Sequence, residues 1–485
     1  MKKNGVGMTI LFLVCFSSLS LWPKASPSFP RGLFVQTRES QEQNCQNCKK
    51  MTAPKVELKI TNSQSGQNKA MSEAALEMQH RRDAVSRACA NLPPSAIYRN
   101  MNHGMVSRRH KFLYCPVEKS ASTFWRRFMY QLVLTKPMQS PFDVSVQTVY
   151  SWRFPAAMVQ ITEAGEALDA LLRSSTKMLF IREPYSRLLS AFVDKLLAPN
   201  PILWKMWGQP ALEMCRDPKS QKWCKDRSSA TSLNQPIRKR AELSAHARLR
   251  QRVQFSCGED VTFPEFVKFV TASLASFNAH VMPIYKMCSP CYVNYTVVGH
   301  METFARDVKL LLPKINVTED QVSLEKMDDN VAYDAIEDSV HDAMSPAWLQ
   351  HSLQCITKLD VVKRIWRKLQ IRGFVSWRLK PSHFNIDRNT AENTDGPALI
   401  SILVEANLKS TNKTELKLQK KQALKEAFSL LQPEQFNDIW EIFGPDFQLF
   451  GFEKVPKEFD TASKAHFINT GSLDLTKDWN MEKVL

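Results

Sequence analysis

Two short apolar runs, Lys111-Phe-Leu-Tyr-Cys115 and Lys177-Met-Leu-Phe-Ile181, each stop at a polar loop that leads into apolar residues at helical spacing. Runs of this length with no alternation suit strands buried on both faces of a parallel sheet. After the first come Phe124, Trp125, Phe128, Met129, Leu132 and Val133; after the second come Leu188, Leu189, Phe192 and Leu196. Pro184 falls in the first turn of the second helix, where its missing N–H costs nothing. Helical patterns also cover 164–173, 264–276 and 415–431, and the β-branched alternation of Tyr292–Val298 predicts a further strand. Strands alternating with helices predict an α/β fold, a central parallel sheet flanked by helices. Residues 386–414 are polar and read as a surface insertion.

The two loops carry the chemistry. Cys115-Pro-Val-Glu-Lys-Ser-Ala-Ser-Thr-Phe-Trp125 places Lys119 with the hydroxyls of Ser120, Ser122 and Thr123 at a helix start. Ile181-Arg-Glu-Pro-Tyr-Ser-Arg-Leu-Leu-Ser190 places Arg182, Arg187 and Ser190 at another. A strand that ends in a polar loop and opens a helix points backbone N–H groups at an anion. Two such sites suit a ligand with phosphate groups at both ends. A P-loop NTPase is disfavoured: its loop needs Gly-x-x-x-x-Gly-Lys-Ser/Thr, whereas residues 116–123 contain no glycine.

Together the two segments resemble the signature of sulfotransferases that use 3′-phosphoadenosine 5′-phosphosulfate (PAPS). More narrowly, the chain is similar to the Golgi carbohydrate sulfotransferases of the HNK-1 and chondroitin 4-O-sulfotransferase group, sulfotransferase family 2. Asn278-Ala-His-Val-Met-Pro-Ile-Tyr-Lys-Met-Cys-Ser-Pro-Cys291, Asn294–Thr303 and Asp446-Phe-Gln-Leu-Phe-Gly-Phe452 carry the match further. The resemblance implies a P-loop-like sulfotransferase fold, PAPS as donor and no metal. It implies that Lys119, Ser120, Ala121, Ser122, Thr123 and Phe124 hold the 5′-phosphosulfate. Arg182, with Ser190 and in second place Arg187, would hold the 3′-phosphate. Lys119 would meet the charge of the leaving phosphate, and His280 leads as the base, with His300 and Glu183 as lesser candidates. The implied acceptor is an acidic glycan, chondroitin or dermatan N-acetylgalactosamine at O-4 or terminal glucuronic acid at O-3. Two positions depart from the family loop: Glu118 stands where proline is usual, and Phe124 where asparagine is usual. An acidic side chain there must turn to solvent or onto a cation. Residues 454–485 read as a tail beyond the family's usual end.

The ends and the composition set the compartment. Lys2 and Lys3 precede an apolar run, Val6–Trp22, at the short limit for spanning a bilayer. The reading is a cytoplasmic tail over 1–7, a signal anchor over 8–22, a flexible stem over 23–75 poor in large apolar residues, and a lumenal domain over 76–485. A cleavable signal peptide is the rival, although Pro23 and Lys24 make a poor cleavage site. Of 11 cysteines, Cys15 lies in the apolar run; the others favour disulfides over zinc, with Cys45/Cys48 and Cys288/Cys291 as close pairs and no connectivity legible. Sequons at Asn294, Asn316 and Asn412 agree with lumenal exposure. The net charge of +17 calls for an anionic partner. A secretory start removes nucleic acid and leaves acidic glycan and the nucleotide donor. The basic run Arg238–Arg252 is either a solvated helix or a rim that steers a polyanionic sugar.

Overall fold

The computed structural model describes residues 61–99, 104–132, 134, 140–150, 158–160, 165–214, 257–322, 327–456, 459, 470–482 and 484. The strands are β1 (Met105–Ser107), β2 (Phe112–Cys115), β3 (Met158–Gln160), β4 (Thr176–Ile181) and β5 (Val297–His300). They form one sheet in the order β3-β1-β2-β4-β5. β2, β4 and β5 run parallel, with Phe112 opposite Thr176 and Met178 opposite Val297; β1 pairs antiparallel with both β2 and β3. The sheet is therefore mixed, not wholly parallel. The parallel half is the part that carries the two polar loops.

Alternation along the central strands divides the core in two. Phe112, Tyr114, Met178, Phe180 and Val297 pack on one face, and Leu113, Cys115, Leu179, Ile181 and Val298 on the other. Successive side chains of a strand point to opposite faces, so an apolar run serves both layers at once. Gly299 is required by this packing. A Cβ there would lie 2.4 Å from the Phe180 ring.

The principal helices are α1 (Thr61–Asn91), α2 (Ser122–Gln131), α3 (Gly165–Ser174), α4 (Pro184–Phe192), α5 (Phe263–Ala272), α6 (Phe304–Leu311), α7 (Met327–Met344), α8 (Lys358–Ile371), α9 (Gly396–Lys409), α10 (Lys413–Ser429) and α11 (Pro433–Phe450). α2 and α4 follow the two loops as expected, and the apolar residues predicted for their inner faces are buried: Trp125, Phe128 and Met129 on α2, Leu188 and Phe192 on α4. α4 continues into a π turn, Val193–Leu197. The strand expected at Tyr292–Val298 begins only at Val297, because Pro290 starts a short helix, Pro290–Val293, that ends at a left-handed Asn294.

Three expectations are revised. Residues 386–414 are not a polar surface insertion: α9 buries Leu399, Leu403 and Ala406 in the main helical core. Four-residue spacing of a few apolar side chains is enough to seat a helix whose other faces are polar. The described residues of the stretch read as a tail, 454–485, are packed, because Phe459, Trp479 and Met481 are buried in the same core. Arg367 donates to the carbonyls of Gly471, Ser472, Asp474 and Lys477, and Glu426 accepts from the amides of Thr470, Gly471 and Ser472. α1 begins inside the stretch read as stem, and its Ala74 and Met78 pack on the sheet.

Disulfides join Cys89 to Cys291, Cys115 to Cys288 and Cys257 to Cys355. Cys288 and Cys291 thus each take a distant partner. Cys45, Cys48, Cys215, Cys224, the basic run Arg238–Arg252 and the apolar run Val6–Trp22 lie outside the described residues. Among the described residues no helix is long and apolar enough to cross a membrane.

Candidate active site

Loop 116–121 leaves the carboxyl end of β2, and Arg182 leaves the carboxyl end of β4, its parallel neighbour. Ligands in open α/β sheets bind at this edge. The first loop wraps without glycine. Lys119 and Ala121 both take left-handed backbone, φ 70° and φ 59°. Such conformations cost a non-glycine residue of order 1 kcal/mol or more, and they persist where surrounding structure enforces them. Ala121 then opens α2 with no side-chain cap, which leaves the helix N-terminus open to an anion.

Lys119 is held from across the chain. Its Nζ lies 2.6 Å from Asp194 Oδ2, in the π turn that continues α4. Asp194 also meets Lys195 Nζ at 3.1 Å and Lys368 Nζ at 2.7 Å. One carboxylate among three lysines leaves the neighbourhood cationic. Burial, with Lys195 adding, pushes the Lys119 ammonium down to about 8 against the pull of Asp194.

Glu118 turns onto a cation, as its position demands. It meets Arg126 Nη2 at 2.9 Å and accepts from Ser122 Oγ at 2.6 Å. Burial would raise its carboxyl, but Arg126, His280 and the Ser122 hydroxyl together outweigh burial and hold it at about 2. The Ser122 hydroxyl is consequently committed to Glu118. Thr123 Oγ1 lies 3.2 Å from the Tyr150 hydroxyl. Ser120 is fully buried, and among the described residues its Oγ has no hydrogen-bond partner. Phe124 is a core residue, packed edge-on against Phe304 at 5.0 Å. Its side chain serves the fold, so only its backbone is near the loop.

The second loop is built differently. Glu183 caps α4 itself, accepting from the amides of Tyr185 at 2.8 Å and Ser186 at 2.7 Å. That helix N-terminus is closed, so any anion here must be held by side chains. Arg182 donates Nη1 to the Lys119 carbonyl at 3.2 Å, and burial, with Arg372 adding, lowers its guanidinium to about 10. Ser190 is half-buried two turns into α4.

Arg187 is buried and spends its guanidinium on three carbonyls: Glu118 at 3.0 Å, Met282 at 2.7 Å and Ala279 at 2.9 Å. It ties the Lys119 loop to the segment that carries His280. The Cys115–Cys288 disulfide joins the same two segments, and Asp446 caps the helix Ile284–Cys288 through the amides of Ile284 and Tyr285 at 2.7 and 2.8 Å.

His280 is half-buried beside Trp207, ring centroids 5.9 Å apart. Asn278 Oδ1 accepts from the His280 amide at 3.1 Å and faces Nδ1 at 3.0 Å. An oxygen that already accepts one N–H makes Nδ1 the protonated nitrogen and leaves the lone pair on Nε2. Burial, with Lys195 adding, lowers this imidazole to about 3. His300 lies at the end of β5 against Phe452, and burial, with Arg81 adding, lowers it to about 4. Sequence reasoning missed Asp194, Lys195, Lys368 and Arg372; each lies far along the chain from the loop it serves, and no local pattern marks it.

Residues 102–364 match the Sulfotransferase family. The chain belongs to that family. It is 28% identical over 238 residues to mouse (Mus musculus) carbohydrate sulfotransferase 12, covering 45% of this chain and 49% of that protein. It is 29% identical over 245 residues to human (Homo sapiens) carbohydrate sulfotransferase 8, covering 49% of each. Against mouse carbohydrate sulfotransferase 11 it is 28% identical over 268 residues, 51% of this chain and 64% of that protein. The chain spans about half the length of the first two of these relatives. No solved structure matches it.

Proposed function

We propose that the protein transfers a sulfuryl group from PAPS to a hydroxyl of an acidic glycan. The observation that carries this reading is the Arg187 clamp. It binds the carbonyl beside Lys119 and the two carbonyls that bracket His280, bringing a cation for the leaving group and an acceptor for a proton to one place. In the transfer, the acceptor oxygen bonds to sulfur as its proton passes to His280 Nε2. The bond from sulfur to the 5′-phosphate oxygen breaks, and its electron pair stays on the phosphate. Lys119 and the open amides of α2 meet that charge. The products are the sulfate ester and 3′-phosphoadenosine 5′-phosphate. Donor binding draws Lys119 from Asp194, and Lys195 and Lys368 remain to neutralise the carboxylate.

Carbohydrate sulfotransferases 8, 11 and 12 among the relatives support a sugar acceptor. O-4 of N-acetylgalactosamine in chondroitin- or dermatan-type chains is the acceptor we favour, in the Golgi lumen of a type II membrane protein anchored through residues 8–22. Asn294, Asn316 and Asn412 are exposed, as N-glycosylation there requires. The test is transfer of labelled sulfate from PAPS to desulfated chondroitin, dermatan and a glucuronic-acid-terminated oligosaccharide, with positional analysis. Label on none of them would sink the acceptor reading. The Ser122–Glu118 hydrogen bond favours a second reading, a glycan-binding protein with impaired transfer. Tight binding of 3′-phosphoadenosine 5′-phosphate without turnover would establish it.

A further inference from the structure

Arg182 is one of three cations that converge from separate parts of the chain. α8 ends at Arg372, one turn after Lys368, the residue whose ammonium meets Asp194 at 2.7 Å. Asp194 in turn holds Lys119 at 2.6 Å, so the end of α8 lies beside the first loop. Gly373 follows in left-handed backbone, φ 77°, and lets α10 approach. A Cβ at 373 would lie 3.1 Å from the Leu416 carbonyl oxygen and 3.8 Å from Lys420 Cβ. The end of α8 therefore abuts α10 at Lys420.

Among the described residues, Arg182, Arg372 and Lys420 form no ion pair with a carboxylate. Lys420, although exposed, is pushed down to about 8 by the protein around it first and then by Arg182 and Arg372; Glu302 is the acidic group that opposes this. Arg372 acts on both Lys119 and Arg182, whereas Lys420 acts with Arg182 and Arg372. Arg182 itself donates to the Lys119 carbonyl at 3.2 Å, which places it beside the same loop as the end of α8. Three like charges with no carboxylate partner repel one another, and a dianion seated between them relieves that repulsion.

We infer that Arg372 and Lys420 complete, with Arg182, the seat of the donor's terminal 3′-phosphate. The inference rests on the donor reading above, and it adds residues beyond 364, where the family match ends. The guanidinium of Arg372 takes phosphate oxygens in the planar fashion suited to it, and Lys420 supplies a point charge from the outer side. This explains how the second loop binds an anion although Glu183 has closed its helix.

The experiment compares binding of 3′-phosphoadenosine 5′-phosphate and adenosine 5′-monophosphate to the full chain by calorimetry. The wild type prefers the 3′-phosphorylated nucleotide by more than tenfold. Arg372→Gln and Lys420→Gln each cut that preference about tenfold, leave the 5′-monophosphate affinity within about twofold and leave the melting temperature unchanged. A preference retained in both variants overturns the inference while the donor reading stands. Retained preference with a raised KM for an acidic glycan also overturns it, and assigns the cluster to the acceptor. A wild type that binds neither nucleotide overturns the donor reading itself, and this inference with it.

Discussion

The two polar loops look alike along the chain, and the fold treats them in opposite ways. Both leave parallel strands and open helices. At the first, Ala121 leaves α2 uncapped and left-handed residues expose the backbone to a ligand. At the second, Glu183 fills the amides that an anion would use. The first loop can bind with its backbone and is tuned by the charges around Lys119. The second has its amides closed, so on the proposed reading it binds through side chains, Arg182 of the loop itself and the two cations inferred from α8 and α10. A strand-loop-helix pattern therefore predicts where an anion site lies but not which atoms hold the anion.

The largest effect expected on this contrast is at Lys119. On the proposed mechanism Lys119→Ala removes the charge assigned to the leaving group and lowers kcat by about 10²- to 10³-fold, whereas Arg182→Ala chiefly raises the KM for the donor. Steady-state kinetics with PAPS varied separate the two, and similar effects on both parameters would erase the distinction between the loops.

Arg187→Met leaves three carbonyls without a buried donor and parts the loop from His280. About 3 kcal/mol of stability is lost, read as a shift in denaturation midpoint, and kcat falls in the variant that remains folded. Wild-type kcat in the folded variant would deny Arg187 its positioning role.

The pH profile follows from two half-buried groups. Lys119 in the folded protein is lowered to about 8 by burial, so its charge is present below that value and lost as pH rises through it. Burial holds His280 near 3, so it stays neutral across the working range and keeps its lone pair unprotonated, as a weak base. kcat/KM for the donor is then flat from about pH 5.5 to 7 and falls above about pH 8. An inflection near 6.5 would mean that His280 titrates normally and is less buried than the structure places it.

Glu183→Ala sharpens the comparison at the smaller end. Loss of the cap costs about 1 kcal/mol, and the amides of Tyr185 and Ser186 become available to an anion, so affinity for inorganic sulfate rises in that variant. Ala121→Gly has the smallest effect, a gain within about 1 kcal/mol as the left-handed strain is relieved, with a looser loop and a raised donor KM.

Much of the frame was legible. Apolar runs marked β2 and β4, helical spacing marked the inner faces of α2 and α4, and the motifs placed Lys119 and Arg182 at strand ends; that the two strands are neighbours came from the fold. The polar stretch 386–414 misled, because α9 is seated by few apolar residues, and residues 470–477 are held largely through backbone carbonyls and amides, which carry no side-chain signal. The identity of residues could not show that Glu118 would take the Ser122 hydroxyl, or that Glu183 would close α4.

By itself the sequence determined β2, β4, the helices that follow them, the two loops and the family resemblance, because these depend on local patterns of size, polarity and spacing. Tertiary structure alone decided that Asp194 holds Lys119, that Arg187 joins the loop to His280, that Cys115 bonds to Cys288, and that Arg372 and Lys420 approach Arg182. The physical reason is range. Charges, disulfides and hydrogen bonds act over a few ångströms between groups separated by tens to hundreds of residues, and only the folded chain brings them together.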